Sequence, residues 1–289
     1  AAAKKLPLFL SSTMLYRRET QYIKQQVAEF GKPVHYIYHI GQYLPDWHPW
    51  ENYKNFFVGN ARTGGVREIF GIDLPWLLDA FGDVESVTVQ KDTISDLGLP
   101  YPDCVTLLLR HKGGVQGVLA ADVVSRKAVR SFECFGDGIH LFWEGNPKAL
   151  YEFKDGDKRF VNTYASFEHD SRYSDNVVEN AYVDELTNFF GVLKGDEQPK
   201  WSFEKDLKAI ELMDIKAKGI SYAYHHRAVR GTGLHRDAPF KKSDQPLCGP
   251  GLGFTGRRAA QRPVPPAAGR RGRAAARPVH RFGRRARTL

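Results

Sequence analysis

The chain has 289 residues, enough for one large or two ordinary domains, and 42% of it is hydrophobic, enough to bury a core. Its net charge of +9 is concentrated at one end: residues 251–289 carry 11 arginines and no acid, whereas residues 1–250 hold 31 basic and 33 acidic side chains. A near-neutral body argues against nucleic acid or an anionic membrane as its partner, and no apolar run approaches the ~18 residues of a membrane span.

Three cysteines, Cys104, Cys134 and Cys248, show no metal-ligand spacing and fit a reducing, cytoplasmic setting. At the start, the apolar run 6–10 follows two lysines but is too short for a signal-peptide h-region of ~7–15 residues. The opening Ala-Ala-Ala reads as a fragment beginning inside a longer protein. Residues 6–12 (LPLFLSS) predict a short buried strand, and residues 19–30 a helix ended by Gly31. Residues 33–43 (PVHYIYHIGQY) are β-branched and aromatic and predict a strand.

The stretch from Gly41 to Gly82 holds three tryptophans, a histidine and a Gly-Gly pair. Its loop is too aromatic for a solvated linker and too polar for a core segment, so it reads as the wall of a polar-substrate pocket. A helix follows over about 66–81, ended by Gly82. Six short strands are then predicted at 86–90, 105–110, 115–123, 129–135, 139–143 and 149–153, separated by tight turns such as HKGG and FGDG. Two helices close the body. In the first, Tyr182, Leu186, Phe189, Phe190 and Leu193 share one face and Gly195 ends it; the second spans about 203–218. Together these predict an α+β fold, a mostly antiparallel open sheet with helices on one face.

From about residue 223 the composition turns to Arg, Ala, Gly and Pro without apolar period, which predicts disorder. Two readings compete: a basic nucleic-acid-binding tail, and a non-native reading frame of GC-rich sequence. The second is preferred. Gly251, Gly253 and Gly256 satisfy a dinucleotide-binding spacing, but flanking prolines spoil the strand and helix that such a loop needs.

His35 and His39 are four apart, yet VHYIYHI is strand-like and no third ligand follows, so no metal is expected. Thr63-Gly64-Gly65 precedes a helix whose first turn carries Glu68. Either this is a plain helix start with an acid favouring the dipole, or Gly64 and Gly65 let backbone N–H groups approach a hydroxylated substrate. Asp73 sits in an apolar stretch (IFGIDLPWLL), where an ionised carboxylate is costly unless paired. It is a candidate base, or an acid paired with Arg67 or Arg17.

Gly64-Gly65…Gly71-x-Asp73, preceded by YLPDWHPWENY and followed by a hairpin-rich sheet, resembles the C-terminal half of the Gfo/Idh/MocA oxidoreductases. The first 34 residues resemble that family's last Rossmann strand and helix, with Tyr16-Arg17-Arg18 where the family has an arginine followed by an aromatic residue. The closing AYVDELTNFFGVLKGDEQPKWSFEKDLKAIELMDI is similar to its final two helices, so the resemblance covers about residues 1–220. It implies a remnant of a Rossmann domain over 1–31, a substrate-binding and oligomerisation domain over 32–222, and a tail over 223–289. It further implies NAD or NADP bound upstream of residue 1, and a sugar, cyclitol or nucleotide sugar as substrate.

The family's usual D-x-G-x-H departs here. Aligning on Gly71 puts Ile69 at the aspartate and Asp73 at the histidine, with Glu68 one residue away. Asp73, and after it Glu68, would act as acid/base or orient the substrate. Arg17, Trp47, His48, Trp50, Gly64 and Gly65 would line the substrate site, the indoles stacking on sugar faces. Self-association through the sheet is expected. The rival reading is a non-enzymatic module that binds a sugar or dimerises.

Overall fold

The computed structural model describes residue 4, residues 6–165, 178–218 and 222–223. The chain divides at residues 229 and 230, and all described residues belong to the first unit. The expectations for residues 223–289, including the glycine motif at 251–256, lie almost wholly outside them.

Helix α1 (Arg18–Phe30) ends where Gly31 takes a left-handed φ of 65° and returns its N–H to Val27. Strand β1 (His35–Gly41) alternates cleanly: Tyr36, Tyr38 and Ile40 are buried while Ile37 is 44% exposed. Three single 3-10 turns, Leu44–Asp46, Tyr53–Asn55 and Phe57–Gly59, carry the aromatic loop to α2 (Gly65–Phe81). Strands β2 (Val84–Asp92), β3 (Cys104–His111), β4 (Gln116–Asp122), β5 (Val129–Gly136), β6 (Ile139–Trp143), β7 (Leu150–Lys154) and β8 (Asp157–Phe160) follow. Helices α3 (Glu179–Lys194) and α4 (Phe203–Lys218) and a two-residue β9 (Tyr222–Ala223) complete the described chain.

The nine strands form one sheet in the order β8-β7-β6-β5-β1-β4-β3-β2-β9. It is mixed, which corrects the sequence expectation at its centre. Strand β1 runs parallel to β4 on one side and antiparallel to β5 on the other, while the remaining neighbours all pair antiparallel. The reason is connectivity. Strand β1 is separated from the hairpins by the long loop and α2, so it can enter between two of them in either direction. Residues 6–12 form no strand: Leu6 and Leu8 are 59% and 54% exposed and have no sheet edge beside them.

Helix α2 packs on β3 and β4, with α1 and α4 beside it. Between helices and sheet lies an aromatic core of Tyr36, Tyr38, Trp76, Phe132 and Trp143, each at most 1% exposed. Each such ring stabilises the fold by about 1.5–3 kcal/mol through burial, and Trp76 meets Tyr38, Phe132 and Trp143 edge-to-face. Gly117 on β4 is required here, because a Cβ would stand 1.9 Å from the Tyr36 ring. The opposite face of the sheet presents Ile37 and Leu108, both exposed. No helix among the described residues is long and apolar enough to cross a membrane.

Candidate functional site

Helix α2 is apolar around most of its circumference, so one polar residue inside it must find a partner. That residue is Asp73, fully buried. Its Oδ1 accepts from the Tyr38 hydroxyl at 2.6 Å and from Trp76 Nε1 at 3.1 Å, and its Oδ2 accepts from Arg130 Nη2 at 2.8 Å. Arg130 lies on β5 in phase with the inward-facing Phe132 and Cys134, which brings its guanidinium under α2. Burial opposes its charge, but Asp73 beside it outweighs burial and holds the pKa above the ordinary arginine value. Burial and then the Asp73 charge push the Tyr38 phenol well up. The partner of Asp73 is thus neither Arg67 nor Arg17. With its oxygens engaged inside the core, Asp73 offers no open face to a substrate.

A cavity of about 360 Å³ opens on the far side of Arg130, walled by the segment 11–14, Arg17, Gly71 and Ile72 of α2 and the start of α3. Ile72, not Asp73, faces it: consecutive helical residues are turned by about 100°, so burying Asp73 sends Ile72 outward. Two polar atoms in the lining are buried and unpaired, Ser12 Oγ and Arg130 Nε. Both atoms are closed off from solvent in this structure, so a ligand in the cavity would reach them only if the wall shifts. Pro75 has no N–H to give the carbonyl of Gly71 four residues earlier, and Gly71 is exposed and lines the cavity.

The arginines around the cavity are matched by acids. Arg17 lies over the Trp143 ring and is bound to buried Glu19 (Nη2 to Oε1, 2.5 Å) and to the Gly145 carbonyl. Arg130 is matched by Asp73. Behind the 12–13 turn, Glu185 of α3 accepts from the Ser12 N–H and the Thr13 hydroxyl, both at 2.7 Å. Two arginines thus face at least three carboxylates. Glu68 lies three residues before Gly71 and four before Ile72, on the same stripe of α2. It is half-buried, and burial raises its pKa from the ordinary glutamate value.

Of the site residues proposed from the sequence, only Arg17 lines this cavity; Glu68 does not line it and lies one helical turn before Gly71. Gly64 and Gly65 make room for protein: a Cβ at Gly64 would stand 2.7 Å from the Tyr101 ring, and one at Gly65 2.9 Å from Val123. Trp47 donates to the Gln42 carbonyl, His48 packs against Phe56 and Trp50, and Trp50 is 74% exposed. These three form an aromatic loop and do not line the cavity. Ser12 and Arg130 were missed. The parity of Arg130 with Phe132 and Cys134 was the available signal, and Pro75 four residues after Gly71 was another.

Among the described residues no cluster of three or more His, Cys, Asp or Glu could hold a metal. Nor do they fit a dinucleotide. The one helix preceded by paired glycines, α2, follows a 3-10 loop rather than a strand, and its glycines are covered by Tyr101 and Val123.

No protein-family model matches the sequence, and no curated protein matches it. The fold does match solved structures. One is an oxidoreductase from Agrobacterium radiobacter in complex with NAD+, L-tartaric acid and magnesium, at TM-score 0.60 and 14% identity, covering 75% of this chain and 65% of that one. A levoglucosan dehydrogenase in complex with NADH matches at TM-score 0.54 and 14% identity over 71% of this chain and 62% of that one. The UDP-N-acetylglucosamine 3-dehydrogenase of Acidithiobacillus ferrooxidans matches at 0.51 and 14% over 70% and 58%. The chain therefore spans about three fifths to two thirds of the length of these structures, and the likeness at this identity is one of fold.

Proposed function

We propose that this chain is the substrate-binding part of an NAD- or NADP-dependent oxidoreductase, and that its substrate is an uncharged polyhydroxylated molecule such as a sugar or cyclitol. The observation that carries the reading is the cavity beside Arg130, two of whose lining residues, Arg130 and Ser12, hold a buried polar atom without a partner. A vicinal diol suits such a mixed set, and a site whose arginines are already matched by acids does not favour a sugar acid. The fold likeness to oxidoreductases, three of them described above, supports the class.

In this reading Arg130 and Ser12 hold substrate oxygens, and Asp73 acts through Arg130 as a positioning residue. Glu68 accepts the hydroxyl proton, for which a carboxyl whose pKa is raised by burial is suited. The nicotinamide would be carried by residues other than the described ones, because these contain no cradle for its pyrophosphate. The same proposal includes a cytoplasmic location, consistent with the free Cys104 and Cys134, and self-association through the uncovered sheet face.

A second reading, a sugar-binding or dimerising module without catalysis, draws support from Ile72, which puts an inert side chain where α2 faces the cavity. Saturation-transfer NMR of the full chain with myo-inositol, glucose and glucuronate tests the binding both share. The neutral polyols should bind about tenfold tighter than glucuronate, and Ser12→Ala should weaken them about tenfold. Preference for glucuronate would overturn the site assignment. Polyol binding that persists in the whole protein without any NAD(P)-linked turnover would select the second reading.

A further inference from the structure

The lining of the cavity beside Arg130 divides by chemistry. Residues 11–13, Arg17 and Arg130 supply its polar part, and Met14, Ile72, Val178, Ala181 and Tyr182 its apolar part. Of all the lining residues only Ser11, Gly71, Ile72 and Tyr182 are exposed, so an entering molecule meets these without any movement of the wall. Tyr182, on the first turn of α3, is the one aromatic residue of the lining, and it is 50% exposed.

Val178, Ala181 and Tyr182 stand three and four residues apart and share one face of α3. The first two are buried and anchor that face, which leaves the Tyr182 ring as its accessible part. Ile72 of α2 adds a second exposed apolar side chain. An apolar surface that a ligand can touch thus lies in the same cavity as the hydroxyl-bearing segment 11–13.

We propose that the Tyr182 ring is a stacking platform that selects cyclic polyols with equatorial hydroxyls, a specificity that rests on the reading of this cavity as a polyol site. In such a ring the C–H bonds point above and below the mean plane, and the hydroxyls form a rim. Its faces are therefore apolar and flat enough to lie on a phenol ring, while the rim is left for the polar part of the lining. An open-chain polyol with the same number of hydroxyls has no preformed face and loses more rotational freedom on binding. The stacking expected of Trp47 and Trp50 falls in this way to α3.

The test is a saturation-transfer NMR titration of the full chain with scyllo-inositol and with sorbitol, both neutral and equal in hydroxyl count. The unaltered chain should bind scyllo-inositol about fivefold tighter. Tyr182→Ala should abolish that preference by weakening scyllo-inositol alone, and Tyr182→Phe, which keeps the ring, should retain it. Substitutions at so exposed a side chain should leave the fold intact. Leu186→Ser, one turn further along α3 and outside the lining, should change neither affinity. Equal weakening of both ligands by Tyr182→Ala would overturn the stacking role, as would loss of the preference in Tyr182→Phe or in Leu186→Ser. Equal affinities in the unaltered chain would overturn it too. An unaltered chain that binds neither compound would overturn the polyol reading itself, and the platform with it.

Discussion

Arg130 on β5 and Asp73 on α2 meet at 2.8 Å across the helix–sheet interface, the acid fully buried and the arginine side chain 14% exposed. One side of the guanidinium is tied to the core through Asp73, and its Nε is buried without a partner. The pair couples packing to recognition, because the same contact that neutralises a buried acid fixes the orientation of a donor. Asp73→Asn keeps the size of the side chain and can keep its bonds to Tyr38 and Trp76, but strands the Arg130 charge. It should cost about 3–5 kcal/mol in urea unfolding, the penalty of breaking a buried pair from one side. Adding Arg130→Met should restore most of that loss. Unchanged stability with abolished turnover would make Asp73 a catalytic acid after all.

Glu68 gives a pH dependence of opposite sign to most carboxylates. Burial raises its folded-state pKa, so the folded protein binds its proton more tightly than the unfolded chain. Its contribution is favourable below the unfolded value of ~4.3 and turns into a cost as pH rises through the folded pKa. Glu68→Gln should therefore raise the thermal midpoint at neutral pH and leave it nearly unchanged near pH 4. A lower midpoint at neutral pH would mean that the carboxylate is held by a partner rather than kept available for proton transfer.

His111 titrates the other way. It is fully buried, its Nδ1 donates to the Gly82 carbonyl at 2.8 Å, and its Nε2 accepts from the Tyr36 hydroxyl at 3.0 Å. Both nitrogens are used by the neutral ring, and burial lowers its pKa. The unfolded chain takes up the proton first, at ~6.5, so stability is full above that value and falls as pH drops toward the folded pKa. The slope has an upper limit of about 1.4 kcal/mol per pH unit, that of a single proton. Urea midpoints measured between pH 7.5 and 5 read it, and His111→Gln should flatten this part of the profile.

The helix ends were legible because glycine marks them: Gly31, Gly82 and Gly195 each follow the last helical residue. Most strands were legible from alternation. Strand β8 (Asp157–Phe160) was not, because all four residues are exposed and it has no buried face to encode. The mixed centre of the sheet was not legible either, since the direction of β1 is set by long-range pairing. The partner of Asp73 was not legible for a related reason. A buried acid announces that it needs a partner, but not which of two readings satisfies it, and Arg130 lies 57 residues away.

Helix α3 shows the limit most sharply. Its apolar spacing is regular, yet Tyr182, Leu186, Phe190 and Leu193 are each at least 50% exposed, while Glu185 and Asn188 are buried. The buried polar pair explains the orientation. Glu185 takes the Ser12 N–H and the Thr13 hydroxyl, and Asn188 takes the Tyr16 hydroxyl at 2.8 Å and donates to the Gln198 carbonyl. Facing the apolar stripe inward would leave those buried groups without partners, a cost of about 1–3 kcal/mol each. Glu185→Ala should therefore destabilise the chain by about 2–3 kcal/mol, whereas Leu186→Ser should stay within about 0.5 kcal/mol in dilute solution. Urea unfolding of the two variants decides it. A larger loss for Leu186→Ser than for Glu185→Ala would mean that the stripe, and not the polar pair, holds α3 in place.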